Sequence, residues 1–155
     1  MSSRSGHEMN INLAEEAKVP SYAIRVGDRA EFQWWVELSE IDDFARISGD
    51  RNPLHMSDDF ARSKGFSGRV AHGFLFGAKV SALVGMLLPG RDCLILEQSI
   101  SFVKPIFPGE TITIEGSVAE MSQEQHVLKV RVRAMRTDGD HRIVIARGSV
   151  LCRNQ

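Results

Sequence analysis

Hydrophobic and polar positions along this chain fall mainly into two regimes, helical spacing from about Ile41 to Leu88 and runs of strand formers from Cys93 onward. Ala30 to Glu37, Ala-Glu-Phe-Gln-Trp-Trp-Val-Glu, is rich in strand formers and predicts a strand ahead of the helices. In Trp34 and Trp35 the alternation of a strand buries one ring and leaves the other free to reach a subunit interface. Ser39 then offers a helix cap, with Asp42 three residues on. Ile41, Phe44, Ala45 and Ile47 follow at helical spacing and give one apolar face, which Gly49 ends. A second short helix is expected from Asp58 to about Lys64, with Gly65 as its stop. Phe66 to His72 reads as a loop feeding an almost wholly apolar helix from Gly73 to Leu88, terminated by Pro89-Gly90.

A helix apolar nearly all round must be wrapped by something. Cys93 to Val103, Thr111 to Met121, His126 to Thr137 and Arg142 to Cys152 all read as strands and supply the wrapping. Pro108-Gly109, Ser122 to Gln125 and Asp138-Gly139-Asp140 provide the turns. One strand and helices followed by a strand meander argue for an α+β domain, an antiparallel sheet curled around one long central helix. Residues 1 to 20 lack hydrophobic periodicity and are expected to be a flexible leader, with the folded domain spanning 21 to 155.

Composition narrows the function classes. The 155 residues, 43% hydrophobic, suffice for one domain with a real core. A formal charge of -1 without long blocks of one sign argues against nucleic acid or an anionic membrane as partner. The run from Gly73 to Leu88 contains Lys79 and, at about 24 Å of helix, is marginal for a bilayer, so no membrane span is expected. Cys93 and Cys152 sit in strand-like runs as small hydrophobes, and neither a disulfide framework, a metal site nor a cofactor is expected. The N-terminus lacks a secretory pattern, which makes the cytoplasm the expected compartment.

The chemistry concentrates in Ile47-Ser48-Gly49-Asp50-Arg51-Asn52-Pro53-Leu54-His55. An acid and a base stand five residues apart between two helical patterns. On a continuous helix such residues lie about 140° apart, and on a strand their α-carbons are roughly 17 Å apart, so neither lets them share a water. A compact loop does, and Gly49 with Asn52-Pro53 favours one. A carboxylate and an imidazole converging on one water could activate it. The same residues also suit a turn whose Asp caps a nearby helix, with a structural histidine beside it.

Phe44, Ile47, Ser48, Gly49, Asp50, Asn52, Pro53, Leu54, His55 and Ala61 together match, without departure, a signature that resembles the MaoC-like, (R)-specific enoyl-CoA hydratase family. Similarity continues through Ala71-His72-Gly73 and Ser101 to Glu110, and so runs from about Val26 to Leu151. The resemblance implies a hot-dog fold and a lyase in which Asp50 and His55 deprotonate a water that adds to the β-carbon of a trans-2-enoyl thioester. It implies Gly73 as the oxyanion-hole residue. The start of a helix, with unsatisfied N–H groups and no side chain in the way, suits that role physically. His72 is expected to orient the loop by hydrogen bonding and Asn52 to hold the dyad loop through its amide. Ser81 falls at a family position near the catalytic pair, or alternatively bonds back to its own helix. Arg62, Lys64 and Arg69 could meet the phosphates of coenzyme A, against the alternative of a solvated face.

The expected partners are an acyl-CoA thioester and a second copy of the chain, since one hot-dog subunit leaves a sheet face and part of its helix uncovered. Two alternatives stand beside hydration of enoyl-CoA. One keeps the chemistry and takes an acyl-carrier-protein or specialised acyl thioester; the other is a non-catalytic acyl-binding module, which would be expected to have lost Asp50 or His55.

Overall fold

In a computed structural model of the chain, residues 24–90 and 93–154 are described, and the expected leader lies outside them. Strand β1 (Arg29–Trp35) is followed by helices α1 (Leu38–Ser48), α2 (Pro53–Met56), α3 (Asp58–Ser63) and α4 (Gly73–Met86), then strands β2 (Cys93–Phe102), β3 (Thr111–Ser122), β4 (Val127–Asp138) and β5 (His141–Asn154). The strands form one antiparallel sheet in the order β1-β3-β4-β5-β2, so β1 and β2 are its edges. It wraps α4 in hot-dog fashion. Among the described residues no helix is long and apolar enough to cross a membrane.

Alternation along the strands explains the wrapping. Ile112, Ile114, Val130, Val132, Ala146 and Val150 point to one face and are buried, where they meet Leu75, Phe76, Val80, Leu83 and Val84 of α4. Gly116 lets the helix come close: a methyl there would stand 2.8 Å from Leu83 Cδ2. Trp34 points into this core and Trp35 out of it, the alternation expected of the pair. The covering of α4 is incomplete. Phe74, Ala78, Ser81 and Met86 form an exposed stripe at helical spacing, with Phe74 82% exposed.

Two local expectations need correction. Helix α1 is capped by Glu37, one residue before Leu38, and not by Ser39. Glu40 at the third helical position reaches back to accept the Glu37 N–H, while the Ser39 hydroxyl donates to Glu37, so Ser39 supports the cap from inside the helix. The stretch from Asp50 to His55 is also not loop throughout. Pro53 starts the single turn α2, with Asn52 as its cap accepting from the Leu54 N–H at 3.0 Å, and His55 rides on that turn.

A polar clamp ties the elements beneath the sheet edge. The Glu40 carboxylate accepts from Lys79 of α4 and from the Trp34 indole at 2.7 Å, and the Lys79 ammonium lies 5.2 Å from the centre of the Trp34 ring. Burial alone would raise the Glu40 carboxyl. The hydrogen bonds from Lys79, Trp34 and the Glu37 N–H outweigh it and hold the group below the ordinary glutamate value. Cys93 and Cys152 are free thiols on adjacent strands, Cys152 buried and Cys93 half-buried.

Candidate active site

Three segments converge at the N-terminal end of α4. The first is the α1–α2 junction. Gly49 takes a left-handed conformation, φ 78°, and closes α1 by donating to the Ala45 carbonyl. Beyond it Asp50 Oδ1 accepts from the Asn52 N–H at 3.1 Å, an Asx turn that leaves Oδ2 available. The second is the strip from Phe66 to His72. Val70 N–H donates to the Leu54 carbonyl and Ala71 N–H to that of Ile106, which stitches the strip between α2 and the β2–β3 connection. The third is the end of β2 and its connection, where Glu110 holds the Phe107 N–H at 3.0 Å and Arg136 at 2.6 Å.

The protonation pattern of the dyad follows from its partners. His55 Nδ1 lies 2.7 Å from the Val70 carbonyl oxygen, which can only accept, so Nδ1 carries the hydrogen of the neutral ring. The lone pair is therefore on Nε2, and Nε2 faces Asp50 Oδ2 at 4.0 Å. Both atoms are acceptors and too far apart for a direct bond. A water donating one hydrogen to each fits between them and presents its own lone pair outward. The Asp50 side chain is 52% exposed and that of His55 13%, so one arm of the pair meets solvent and the other is fixed by the protein.

His72 carries no such freedom. It is 2% exposed, its Nε2 donates to the Asp50 backbone carbonyl at 3.0 Å, and its ring stacks on that of His55 with centroids 3.9 Å apart. Phe44 packs on its other side at 5.0 Å. His72 Nδ1 is buried without a hydrogen-bond partner. Asp50, His55 and His72 place donor atoms within 4.8 Å of one another, the one such group among the described residues. The two stacked imidazoles direct their in-plane lone pairs along near-parallel planes, a poor arrangement for converging on one ion.

Gly73 begins α4 directly after His72, and the first backbone bonds into the helix run from the Leu75 and Phe76 N–H groups to the His72 carbonyl. Among the described residues the N–H groups of Gly73 and Phe74 have no backbone partner and are the free donors of the helix end. A cleft of about 350 Å³ opens before them, bordered by His55, His72, Gly73, Phe102, Val103 and Lys104 among others. The Phe102 ring rests on Gly73 so closely that a methyl there would stand 2.8 Å from Cζ.

The remaining expected site residues separate. Asn52 caps α2 beside Asp50 through its side-chain oxygen. Ser81 is two turns along α4, on the exposed stripe, with no side-chain hydrogen bond among the described residues, so it neither packs in the interior nor bonds back to the helix. Arg69 is sequestered: its guanidinium is 11% exposed, donates to the His55 carbonyl and is paired with Asp42, while its N–H donates to Asp58. It braces the backbone of His55 and has no fork left for a phosphate. Arg62 lies beside Asp59 in the open and Lys64 over the Phe60 ring. None of the three borders the cleft. The Val70 carbonyl, which sets the tautomer of His55, escapes sequence reasoning because a backbone group leaves no mark in residue identity. Phe102 was legible only as part of an apolar strand.

The family described as MaoC like domain matches residues 18–139. The chain is 32% identical over 117 residues to an (R)-specific enoyl-CoA hydratase of Aeromonas caviae, covering 76% of this chain and 87% of that protein. To an (R)-specific enoyl-CoA hydratase of Rhodospirillum rubrum it is 33% identical over 108 residues, 70% of this chain and 75% of the relative. Among solved structures, the (R)-hydratase from A. caviae involved in PHA biosynthesis superposes with a TM-score of 0.80 at 28% identity, over 87% of this chain and all of that one.

Proposed function

The chain belongs to the MaoC-like domain family, and from that premise we propose that it hydrates trans-2-enoyl-CoA to (R)-3-hydroxyacyl-CoA, or runs the reverse dehydration. The observation that carries the reading is the acceptor pair of Asp50 with His55, which borders the cleft. His55 Nε2 and Asp50 Oδ2, 4.0 Å apart, orient one water by both its hydrogens, and Val70 fixes the tautomer this requires. The water oxygen bonds to the β-carbon as its proton passes to the dyad, and the α-carbon is protonated in turn. Negative charge gathers on the thioester oxygen in between. The unsatisfied Gly73 and Phe74 N–H groups at the positive end of α4 are the donors for it.

A homodimer accompanies this reading. Phe74, next to the oxyanion position, and the stripe through Met86 present apolar surface that a second copy would cover. The cytoplasm, where Cys93 and Cys152 stay reduced, is the proposed setting.

The test is loss of the conjugated thioester absorbance on mixing the protein with crotonyl-CoA, then octenoyl-CoA, with chiral analysis of the product. The (R)-alcohol is expected, and Asp50→Asn and His55→Ala should each lower kcat by at least about 10²-fold with the fold intact. An (S)-product, or a variant keeping most of its activity, would remove the dyad assignment.

A further inference from the structure

We propose that the outer face of the sheet binds the nucleotide phosphates of the thioester substrate, in a groove built by Arg131, Arg133 and Arg147. This rests on the acyl-CoA reading above and locates a part of that substrate for which the dyad has no use. Arg131 and Arg133 alternate on β4 with the buried Val130, Val132 and Ala134, and Arg147 follows the buried Ala146 on β5, so all three face away from α4 and are exposed. Arg133 stands directly opposite Arg147 in the β4–β5 register, and Arg131 opposite Ser149.

Like charges directly opposite across a sheet destabilise it. No ion pair among the described residues neutralises them. Arg46, Arg62, Arg69, Lys79, Lys129 and Arg136 each have a carboxylate within ion-pair distance; these three arginines, like exposed Arg51 and Arg142, have none among the described residues, but only these three line one groove. Glu115, opposite Arg133 on β3, forms no ion pair with it. In a chain of net charge -1, three unneutralised guanidinium groups side by side are a local concentration that an anion would relieve.

Position gives the anion its identity. The arginines border a groove of about 570 Å³ that also includes Ser101 and Val103. Val103 borders the dyad cleft as well, so the groove and the cleft flank the same residue at the end of β2. Ser101 is the register partner of Arg147, and the next residue, Phe102, turns inward onto Gly73. Because β2 is an edge strand, no further strand among the described residues lies across its end. Lys104, on the cleft side of that passage, is exposed and has no carboxylate partner among the described residues. A thioester lying before Gly73 can therefore run past Val103 and lay its phosphates on the arginines. The guanidinium fork meets phosphate oxygens in pairs, and three forks together suit a ligand with several phosphates.

The experiment compares Arg131→Ala/Arg147→Ala with the parent protein on crotonyl-CoA and on crotonyl-pantetheine, which lacks the nucleotide. The ratio of the two kcat/KM values should fall about tenfold or more in the variant, with KM for the CoA thioester carrying the change. Calorimetric titration with adenosine 3′,5′-bisphosphate should show binding to the parent that weakens with salt and is lost in the variant. An unchanged ratio with intact hydration overturns the groove. So does a variant impaired only on an acyl-carrier-protein thioester, which would make the face a docking surface for an acidic protein. Nucleotide binding lost in the variant, in a protein that hydrates no thioester, keeps the groove and removes the hydratase reading instead. The exposed arginines can be removed without emptying the core, and an unchanged melting temperature checks this.

Discussion

Gly73→Ala separates chemistry from packing more sharply than any other single change in this chain. The added methyl would stand 2.8, 3.0 and 3.3 Å from three carbons of the Phe102 ring, against a comfortable carbon–carbon separation of about 3.5 to 4.0 Å. The ring must retreat by roughly 0.5 to 1 Å. It is 53% exposed and has solvent to retreat into, so the strain belongs near the low end of overpacking, about 1 kcal/mol. Alanine in place of glycine returns up to ~1 kcal/mol of helix propensity. The two terms nearly cancel, and global stability should move by no more than about 1 kcal/mol in a denaturant titration. The rate should respond quite differently. The methyl projects towards the cleft beside the free N–H groups, and denying them to a developing oxyanion costs about 3 kcal/mol, roughly 10²-fold in kcat. Gly85→Ala is the control on the same helix: no atom lies within 4 Å of the methyl it adds, so it should leave activity unchanged. Gly73→Ala/Phe102→Ala relieves the clash and should leave kcat low. A Gly73→Ala protein within about threefold of parental kcat/KM, or a double variant that regains its rate, would refute the oxyanion assignment.

Three further outcomes follow from neighbouring contacts. Glu40→Gln should destabilise the fold by about 1 to 2 kcal/mol by leaving Lys79 without its carboxylate. Because the Glu40 carboxyl is held below its ordinary value in the folded state, its contribution is present above the unfolded pKa and lost as pH falls through the folded one, so parent and variant should converge in urea midpoint below about pH 4.5 and diverge above it. His72→Phe keeps the stack on His55, removes a buried unpartnered nitrogen and loses the bond to the Asp50 carbonyl; stability should stay within about 1 kcal/mol while kcat drops roughly tenfold. That loss should vanish in an Asp50→Asn background, and persistence there would show that His72 acts elsewhere. Arg69→Ala should cost about 2 to 4 kcal/mol of stability, since it strips a largely buried guanidinium from Asp42 and from the His55 carbonyl; a rise in KM for the CoA thioester at unchanged melting temperature would contradict this bracing role.

The sequence foretold what depends on periodicity and missed what depends on backbone groups and long-range pairing. The central helix was legible because sixteen positions from Gly73 to Leu88 hold one charge, and the strands because alternate residues must meet that helix. Helix α2 was not, since a single turn has no period to display and Asn52-Pro53 signals a turn and a helix start with the same residues. Asp50, His55 and Gly73 stood out through a resemblance. The spacing of Asp50 and His55 alone favoured a capped turn over a dyad, and the Val70 carbonyl and the Asx turn that give the pair its arrangement rest on main-chain groups.

The basic residues show the complementary case. Sequence proximity to Gly73 drew attention to Arg62, Lys64 and Arg69, yet the fold spends Arg69 on bracing His55 and leaves the other two in solvent. Arg131, Arg133 and Arg147 lie 58 to 74 residues beyond Gly73, and in the linear chain they look like the polar half of ordinary strand alternation. Only the β4–β5 and β2–β5 registers bring them together beside Ser101. Catalytic groups can sit in one short segment because a proton transfer spans a few ångströms. A long substrate must be held at both ends, so its second anchor is assembled across strands, where register rather than local sequence decides which side chains become neighbours.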